Sequence, residues 1–325
     1  MTPDSRAASE RAIEAIRAGV ATAVIGNEGA LDLLLIALLC RGHALLEDVP
    51  GVGKTLLARS LAQVLGCTFR RIQLTADVLP SDITGSEVFN QKSTQFEFRP
   101  GPIFTQVLLA DEINRATPRS QSALLEAMEE RQVTVDGTTR LLDEPFLVLA
   151  TQNPVELEGT FPLPEAQLDR FLLRAVLGYP SLSAEHEILL RYEHDRPAVL
   201  EPVTNASELL ALQHRRAEVI VNEEVRSYLL EIVRATRDDA RLQLGASPRA
   251  ALALHRACQA RALLQRRAYV LPDDVKALVP AVLSHRIVLG PTARLRGATV
   301  AQVLEELLEK IAVPVENEDP IAGEA

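Results

Sequence analysis

The sequence predicts two parts in one chain: an α/β domain on a parallel sheet covered on both faces, then an all-helical domain. Three observations predict it. Short apolar runs without polar alternation, at 43–46, 107–110 and 146–150, read as strands buried on both sides. Between them lie segments with apolar residues at helical spacing, such as 56–65 and 120–130. Past Gly178-Tyr179-Pro180 the strand pattern stops and helical periodicity takes over, which sets the expected boundary between residues 1–178 and 179–313.

Composition narrows the class. A chain of 325 residues can give each part its own core. A hydrophobic content of 47% against 24% charged residues is globular, and with 4% aromatics and no Trp the interior falls to Leu, Ala and Val. The net charge of -10 argues against general affinity for nucleic acid or anionic membrane. Cys40, Cys67 and Cys258 lie far apart, with neither a disulfide framework nor a zinc spacing, which suits a reducing compartment. The opening stretch MTPDSRAASE has no apolar signal segment. The longest apolar run, 31–40, contains Asp32 and is too short to span a bilayer. A cytoplasmic protein without direct membrane insertion is expected.

In chain order, residues 6–18 read as a short amphipathic helix, 24–27 as an apolar step and turn, and 29–40 as a helix apolar on most sides and therefore buried. Strand 43–46, a Gly-rich turn and helix 56–65 follow, then a strand at 68–74. Residues 75–102 keep no single period. Residues 77–82 can start a helix, and loose alternation over 88–98 suggests a hairpin insertion closed by Arg99-Pro100-Gly101-Pro102. Strand 107–110 ends in Asp111-Glu112, and helix 120–130 carries Leu124, Leu125 and Met128 on its apolar face. Residues 132–142 form a hairpin turning at Asp136-Gly137. Strands 146–150 and 172–176 complete the sheet. The expected later helices are 184–192, 206–218, 223–237, 248–264, 272–283 and 299–310. Asn222 and Ser247 are their clearest N-caps, and Pro248 takes the favoured first position. The acidic tail 314–325 is expected to be disordered.

The chemistry gathers at residues 47–57, EDVPGVGKTLL. A strand, a Gly-rich turn and a helix make the setting of a phosphate-binding loop. Gly51 and Gly53 let successive N–H groups turn inward, and the helix that follows aims its free N–H groups at the same anion. Lys54 would reach the β- and γ-phosphates, and the Thr55 hydroxyl would ligate magnesium. Asp48 stands where the strict pattern has its first Gly. An acid there is tolerable only if its side chain points away, leaving the curvature to Pro50, Gly51 and Gly53. Asp111 can hold magnesium and Glu112 can polarise a water, although two adjacent carboxylates alone also read as a solvated strand end. Asn153 can orient that water, and Asn153-Pro154 also reads as a turn. Arg170 is a finger for a neighbour's nucleotide, a solvated charge, or a partner of Asp169. Arg249 opens a helix from which it could lean across to the phosphates. Arg115 and Arg119 rival both arginines. Among His43, His186, His194, His214, His255 and His285 no metal-ligand grouping emerges, and no nucleophilic triad can be argued.

In this order the residues resemble the MoxR family of AAA+ ATPases over about residues 25–308. The most specific stretches are LLEDVPGVGKT (45–55), ADEINRATPRSQSALLEAMEERQVTVDG (110–137), ATQNPVELEGTFPLPEAQLDRF (150–171) and SPR (247–249). The resemblance implies an AAA+ P-loop NTPase core with a five-stranded parallel sheet of order 5-1-4-3-2 and an all-helical lid. Residues 88–98 would interrupt the helix between the second and third strands, and 132–142 would be the hairpin before the fourth. Such inserts usually face a central pore. The implied ATP-binding set is Val24, Ile25 and Gly26 at the adenine, with Asp48, Val49, Pro50, Gly51, Val52, Gly53, Lys54, Thr55 and Leu56 at the phosphates. Asp111 and Glu112 would be Walker B, Asn153 sensor 1, Arg170 the arginine finger and Arg249 sensor 2.

The implied activity is magnesium-dependent hydrolysis of ATP to ADP and phosphate, driving chaperone-like remodelling or maturation by a hexameric ring. Partners would be further copies of the chain and a protein client, often one with a von Willebrand factor A domain. Some such partners are membrane-bound, which would bring the ring to a membrane peripherally. Nucleic acid is not expected. Related families leave two alternatives, a magnesium-chelatase-like or a DNA-translocating motor. A nucleotide-switched scaffold with little turnover is a third, against which intact Lys54, Glu112 and Arg170 argue.

Overall fold

The structure, a computed structural model, describes residues 3–49, 51–153, 159–193 and 199–314. Pro50, Pro154, His194 and residues 315–325 of the acidic tail, all named in the expectations above, lie outside the described residues.

The first part runs α1 (Pro3–Ala21), α2 (Glu28–Leu39), β1 (Ala44–Glu47), α3 (Lys54–Val64) and β2 (Phe69–Gln73). It continues through α4 (Pro80–Thr84), β3 (Gly85–Asn90), β4 (Gln95–Pro100), β5 (Val107–Asp111) and α5 (Pro118–Glu130). Then come β6 (Gln132–Val135), β7 (Thr138–Leu141), β8 (Leu147–Gln152), α6 (Glu165–Leu168) and β9 (Leu173–Ala175). Five of these strands form the sheet β2-β5-β8-β1-β9, every pairing parallel. Counting only those five along the chain, the order is 5-1-4-3-2, as the resemblance implies. Register brings the C-terminal ends of β1, β5 and β8 to one edge, with Asp111 beside Gln73 and Glu47 beside Gln152. That edge is where an open α/β sheet binds ligands.

Alternation along β1 explains the two layers. Leu46 faces one core with α2 and α3, and Leu45 faces the other with Leu124, Leu125 and Met128 of α5. Between sheet and α5 sits the buried His43. Its Nδ1 accepts from the Val148 N–H at 3.0 Å, so Nε2 carries the proton and donates to the Met128 carbonyl at 2.9 Å. Burial, the larger influence, pushes its pKa down to about 4.

The second part contains α7 (Leu182–Tyr192), α8 (Ala206–Ala217), α9 (Glu223–Asp238), β10 (Leu242–Leu244) and α10 (Pro248–Leu264). After these come α11 (Pro272–Leu283), β11 (Val288–Leu289), α12 (Pro291–Leu295) and α13 (Val300–Lys310). Asn222 and Ser247 cap α9 and α10, accepting from the N–H groups of Val225 and Ala250.

The structure differs from the expected outline in several details. Among the described residues, the helical second part carries the antiparallel pair of β10 and β11 and the short helix α12, and the first part carries the short α6, none of them expected. Strands of three and two residues are too short to print a period. The hairpin insertion spans 85–100 rather than 88–98, since Gly85 and Pro100 already pair. Finally, the two parts share buried interior instead of keeping separate cores. Leu254 and Leu278 belong to the same buried cluster as Leu34 and Leu57, because α2, apolar on most sides, packs against both α8 and α10.

Candidate active site

The loop after β1 curls where its glycines permit. Gly51 and Gly53 have φ of 89° and 92°, left-handed values that a side chain would resist. Gly53 is the N-cap of α3, so the free N–H groups of that helix open toward the loop's hollow. Lys54 folds back over the loop, its Nζ donating to the carbonyls of Asp48 at 2.8 Å and Val49 at 3.2 Å. Lys54 thus lines the hollow that the loop encloses.

Asp48 turns the other way. It is 6% exposed, its Oδ1 accepts from the Val49 N–H (2.8 Å), and its Oδ2 accepts from the N–H groups of Leu177 (2.6 Å) and Gly178 (2.7 Å). The carboxylate therefore ties the phosphate loop to the chain leaving β9. Its side chain does not line the phosphate cavity, and neither do those of Val49 and the buried Val52.

That cavity, about 370 Å³, brings together Gly51, Gly53, Lys54, Thr55 and Leu56 with Asp111, Glu112 and Asn153. Asp111 is buried at the end of β5, and its Oδ1 accepts from the Thr151 hydroxyl at 2.8 Å. The same hydroxyl accepts from the Glu112 N–H at 2.9 Å, so one β8 side chain locks both acidic residues to the next strand. Glu112 has φ 57° and ψ 53°, a left-handed conformation that costs a non-Gly residue energy, and its side chain lines the cavity.

Sequence reasoning missed three residues here. Arg71 on β2 donates to Asp111 Oδ2 at 2.7 Å, and Gln73 donates to Glu112 Oε2 at 2.7 Å. Thr151 is the third. All three line the cavity. The signal was present only in strand order, since β2 becomes the neighbour of β5 by a crossover that no local pattern reveals. Arg115, held as a rival arginine, lies 3.2 Å from Glu112 Oε2 within the same chain. Arg119, the other rival, is exposed on the first turn of α5 and outside the cavity.

Other expected residues lie elsewhere. Val24, Ile25 and Gly26 line a separate cavity of about 560 Å³, with Arg17, Asp32 and Glu187, and share no residue with the phosphate cavity. A side chain at Gly26 would meet the Ala184 Cβ at 2.9 Å, so α7 closes directly on this turn. Arg170 and Arg249 line neither cavity. Arg170 Nε lies 3.2 Å from Glu129 Oε2, and Arg249 Nη2 lies 3.1 Å from Glu129 Oε1. Asp169 pairs not with Arg170 but, at 2.6 Å, with the buried Arg286, which also donates to the carbonyls of Phe171 and Leu172. Among the described residues, no three His, Cys, Asp or Glu side chains group as a metal site, and no helix is long and apolar enough to cross a membrane.

Comparison with known proteins agrees with this geometry. Residues 43–173 match the family described as ATPase family associated with various cellular activities (AAA), and residues 234–307 match the AAA lid domain. A Bacillus subtilis protein, YeaC, described only as uncharacterized, is 50% identical over 90% of this chain and 92% of its own length. Chaperone MoxR1 of Mycobacterium tuberculosis is 42% identical over 92% of this chain and 82% of its own. The crystal structure of a candidate ATPase from Cytophaga hutchinsonii superposes with a TM-score of 0.90 at 39% identity, covering 96% of this chain and 98% of that one. With the phosphate loop, the acidic strand end and the lid arranged in this way, the chain belongs to the MoxR family of AAA+ ATPases.

Proposed function

We propose that this protein binds ATP with magnesium at the phosphate cavity and hydrolyses it in a ring, using turnover to remodel a client protein. The observation that carries the reading is the convergence of Lys54, Thr55, Asp111, Glu112 and Asn153 on one cavity at the ligand edge of the sheet. The loop N–H groups, the α3 N-terminus and Lys54 hold the phosphates. Glu112 accepts the proton of the attacking water, and Asn153 orients that water without adding negative charge. Gln73 holds the Glu112 carboxylate at the β2 side until the water is in place.

Magnesium fits the donor set. Thr55 offers a hydroxyl and Asp111 a carboxylate, both hard oxygens in one cavity. Asp111 accepts from Thr151 on one oxygen and from Arg71 on the other, and each carboxylate oxygen has a second lone pair to give. Bound there, the ion would neutralise charge on the β- and γ-phosphates.

Arg170, outside its own chain's phosphate cavity, is the finger for the neighbouring subunit, where a guanidinium stabilises charge moving onto the γ-phosphoryl oxygens. Arg249 is the group by which the lid senses the chain's own nucleotide. A hexamer, a client bearing a von Willebrand factor A domain and a cytoplasmic setting complete the reading. Three free thiols, all buried, fit that compartment. The net charge of -10 disfavours a DNA-translocating role.

Mixing two inactive variants tests it. Arg170→Ala should bind ATP yet lose turnover by about 10³-fold or more, the range of such fingers. Lys54→Ala should lose ATP binding but keep its finger. A mixture should regain partial activity, because some interfaces pair a sound loop with a sound finger. No recovery in rings shown by cross-linking to be mixed would remove Arg170 from the trans role.

A further inference from the structure

Glu129, in the last turn of α5, is used by neither the phosphate cavity nor the acidic strand end. Its two oxygens hold the two arginines that the function needs in different places, Arg170 on Oε2 at 3.2 Å and Arg249 on Oε1 at 3.1 Å. We propose that Glu129 is a positioning residue, a shared counter-charge through which nucleotide in one subunit restrains the finger offered to the next. The proposal rests on the roles given above to Arg170 and Arg249.

The physical argument is one of charge sharing. A single carboxylate between two guanidiniums compensates each incompletely, and the two cations repel one another across it. Neither arginine is packed in. Arg170 borders a cavity of about 190 Å³ with Glu126, Glu130 and Gln167, and the side chains of Arg170, Glu129 and Arg249 are 33%, 36% and 49% exposed. When ATP fills the chain's own site, Arg249 leaves Glu129 for the phosphates. Glu129 is then left with Arg170 alone and grips it more strongly. A subunit holding ATP thus withholds its finger, and adjacent sites fire out of phase.

The lid is mechanically placed to transmit the move. Arg249 sits in the first turn of α10, whose cap Ser247 reaches Asp169 at 3.4 Å, one residue from the finger. Arg286, just beyond α11, clamps the carbonyls on the finger's other side. A shift of α10 that draws Arg249 toward the phosphates therefore changes the charge around the finger's tip and moves Ser247 at its base, while Arg286 keeps hold of the Phe171 and Leu172 carbonyls.

The test uses the full chain in its assembled form, with phosphate release measured across ATP concentration. Wild type should show a Hill coefficient below one. Glu129→Gln, which keeps shape and removes charge, should bring that coefficient to about 1, the value for uncoupled sites. It should also raise turnover at saturating ATP by up to about fivefold, the size that a part-exposed ion pair supports. Glu130→Gln, which removes the adjacent acid and leaves both Glu129 pairs in place, should change neither readout. A merely structural Glu129 would lower turnover and could not raise it. Wild-type cooperativity of one or above, an unaltered Glu129→Gln, or the same gain in Glu130→Gln would each overturn the proposal. Failure of the underlying reading looks different: Arg170→Ala would retain full turnover, or wild type would not hydrolyse ATP at all, and the relay would fall with it.

Discussion

Asp48 offers the sharpest test of how the phosphate loop is built. Sequence alone puts an acid in the loop, tolerable if its side chain points away from the ligand, and the structure aims it at the N–H groups of Val49, Leu177 and Gly178. Asp48→Ala leaves the Leu177 and Gly178 donors without their acceptor. Hydrogen bonds to a charged group contribute about 1.5–3 kcal/mol each, and water can recover part at these half-buried amides, so the expected loss is about 2–4 kcal/mol. Asn should not rescue. One of its two terminal atoms is an amide nitrogen that cannot accept, so either Val49 or the Leu177–Gly178 pair faces another donor. Chemical denaturation followed by circular dichroism measures the loss. A fluorescent-nucleotide titration supplies the control, and affinity for ATP should stay within about threefold of wild type because the removed charge faces away. Were the carboxylate instead about 5 Å from a phosphate charge, an effective dielectric of about 20 puts the repulsion near 3 kcal/mol, and its removal would tighten binding about a hundredfold. Unchanged stability with such a gain in affinity would refute the reasoning.

Glu112→Gln should bind ATP and lose turnover, because the amide fits but cannot take the water's proton; steady-state phosphate release near the wild-type rate would exclude Glu112 as the base. Stability should fall as pH drops from about 6.5 toward 4, since the folded chain holds His43 neutral down to about 4 while the unfolded chain takes up the proton near 6.5. His285, buried and shifted well downward by that burial, adds to the loss in the same direction, at up to roughly 1.4 kcal/mol per pH unit for each histidine. Urea midpoints at pH 7, 6 and 5 check this, and a flat profile would mean that these rings take up protons as readily in the native state as in the unfolded chain. Replacing Cys40, Cys67 and Cys258 together by Ala should leave phosphate release intact in folded protein, because burial pushes the Cys40 thiol up to about 12, that of Cys67 up to about 11 and that of Cys258 well above its usual value. Loss of activity in an assembled triple variant would reveal thiol chemistry.

Sequence by itself determined the parts whose causes are local. Residues 248–264 and 272–283 became helices with those bounds because Pro at the first position and an apolar face suffice to set them. Strands 107–110 and 146–150 were legible because burial on both faces removes alternation. The meeting of Lys54, Thr55, Asp111 and Glu112 at one sheet edge was legible because each closes a strand or opens a helix next to it, whereas Asn153 read equally well as a turn until the fold set it in the same cavity. What depended on distant chain meeting was not legible. The direction of Asp48 was decided by amides more than a hundred residues away, at Leu177 and Gly178. Arg71 and Gln73 entered the site only because the crossover sets β2 beside β5. Arg170 met Glu129 rather than its neighbour in sequence, since Asp169 was already claimed by Arg286 from beyond α11. A charged side chain is satisfied by whichever opposite charge the fold brings within reach, and one-dimensional spacing carries no record of that choice.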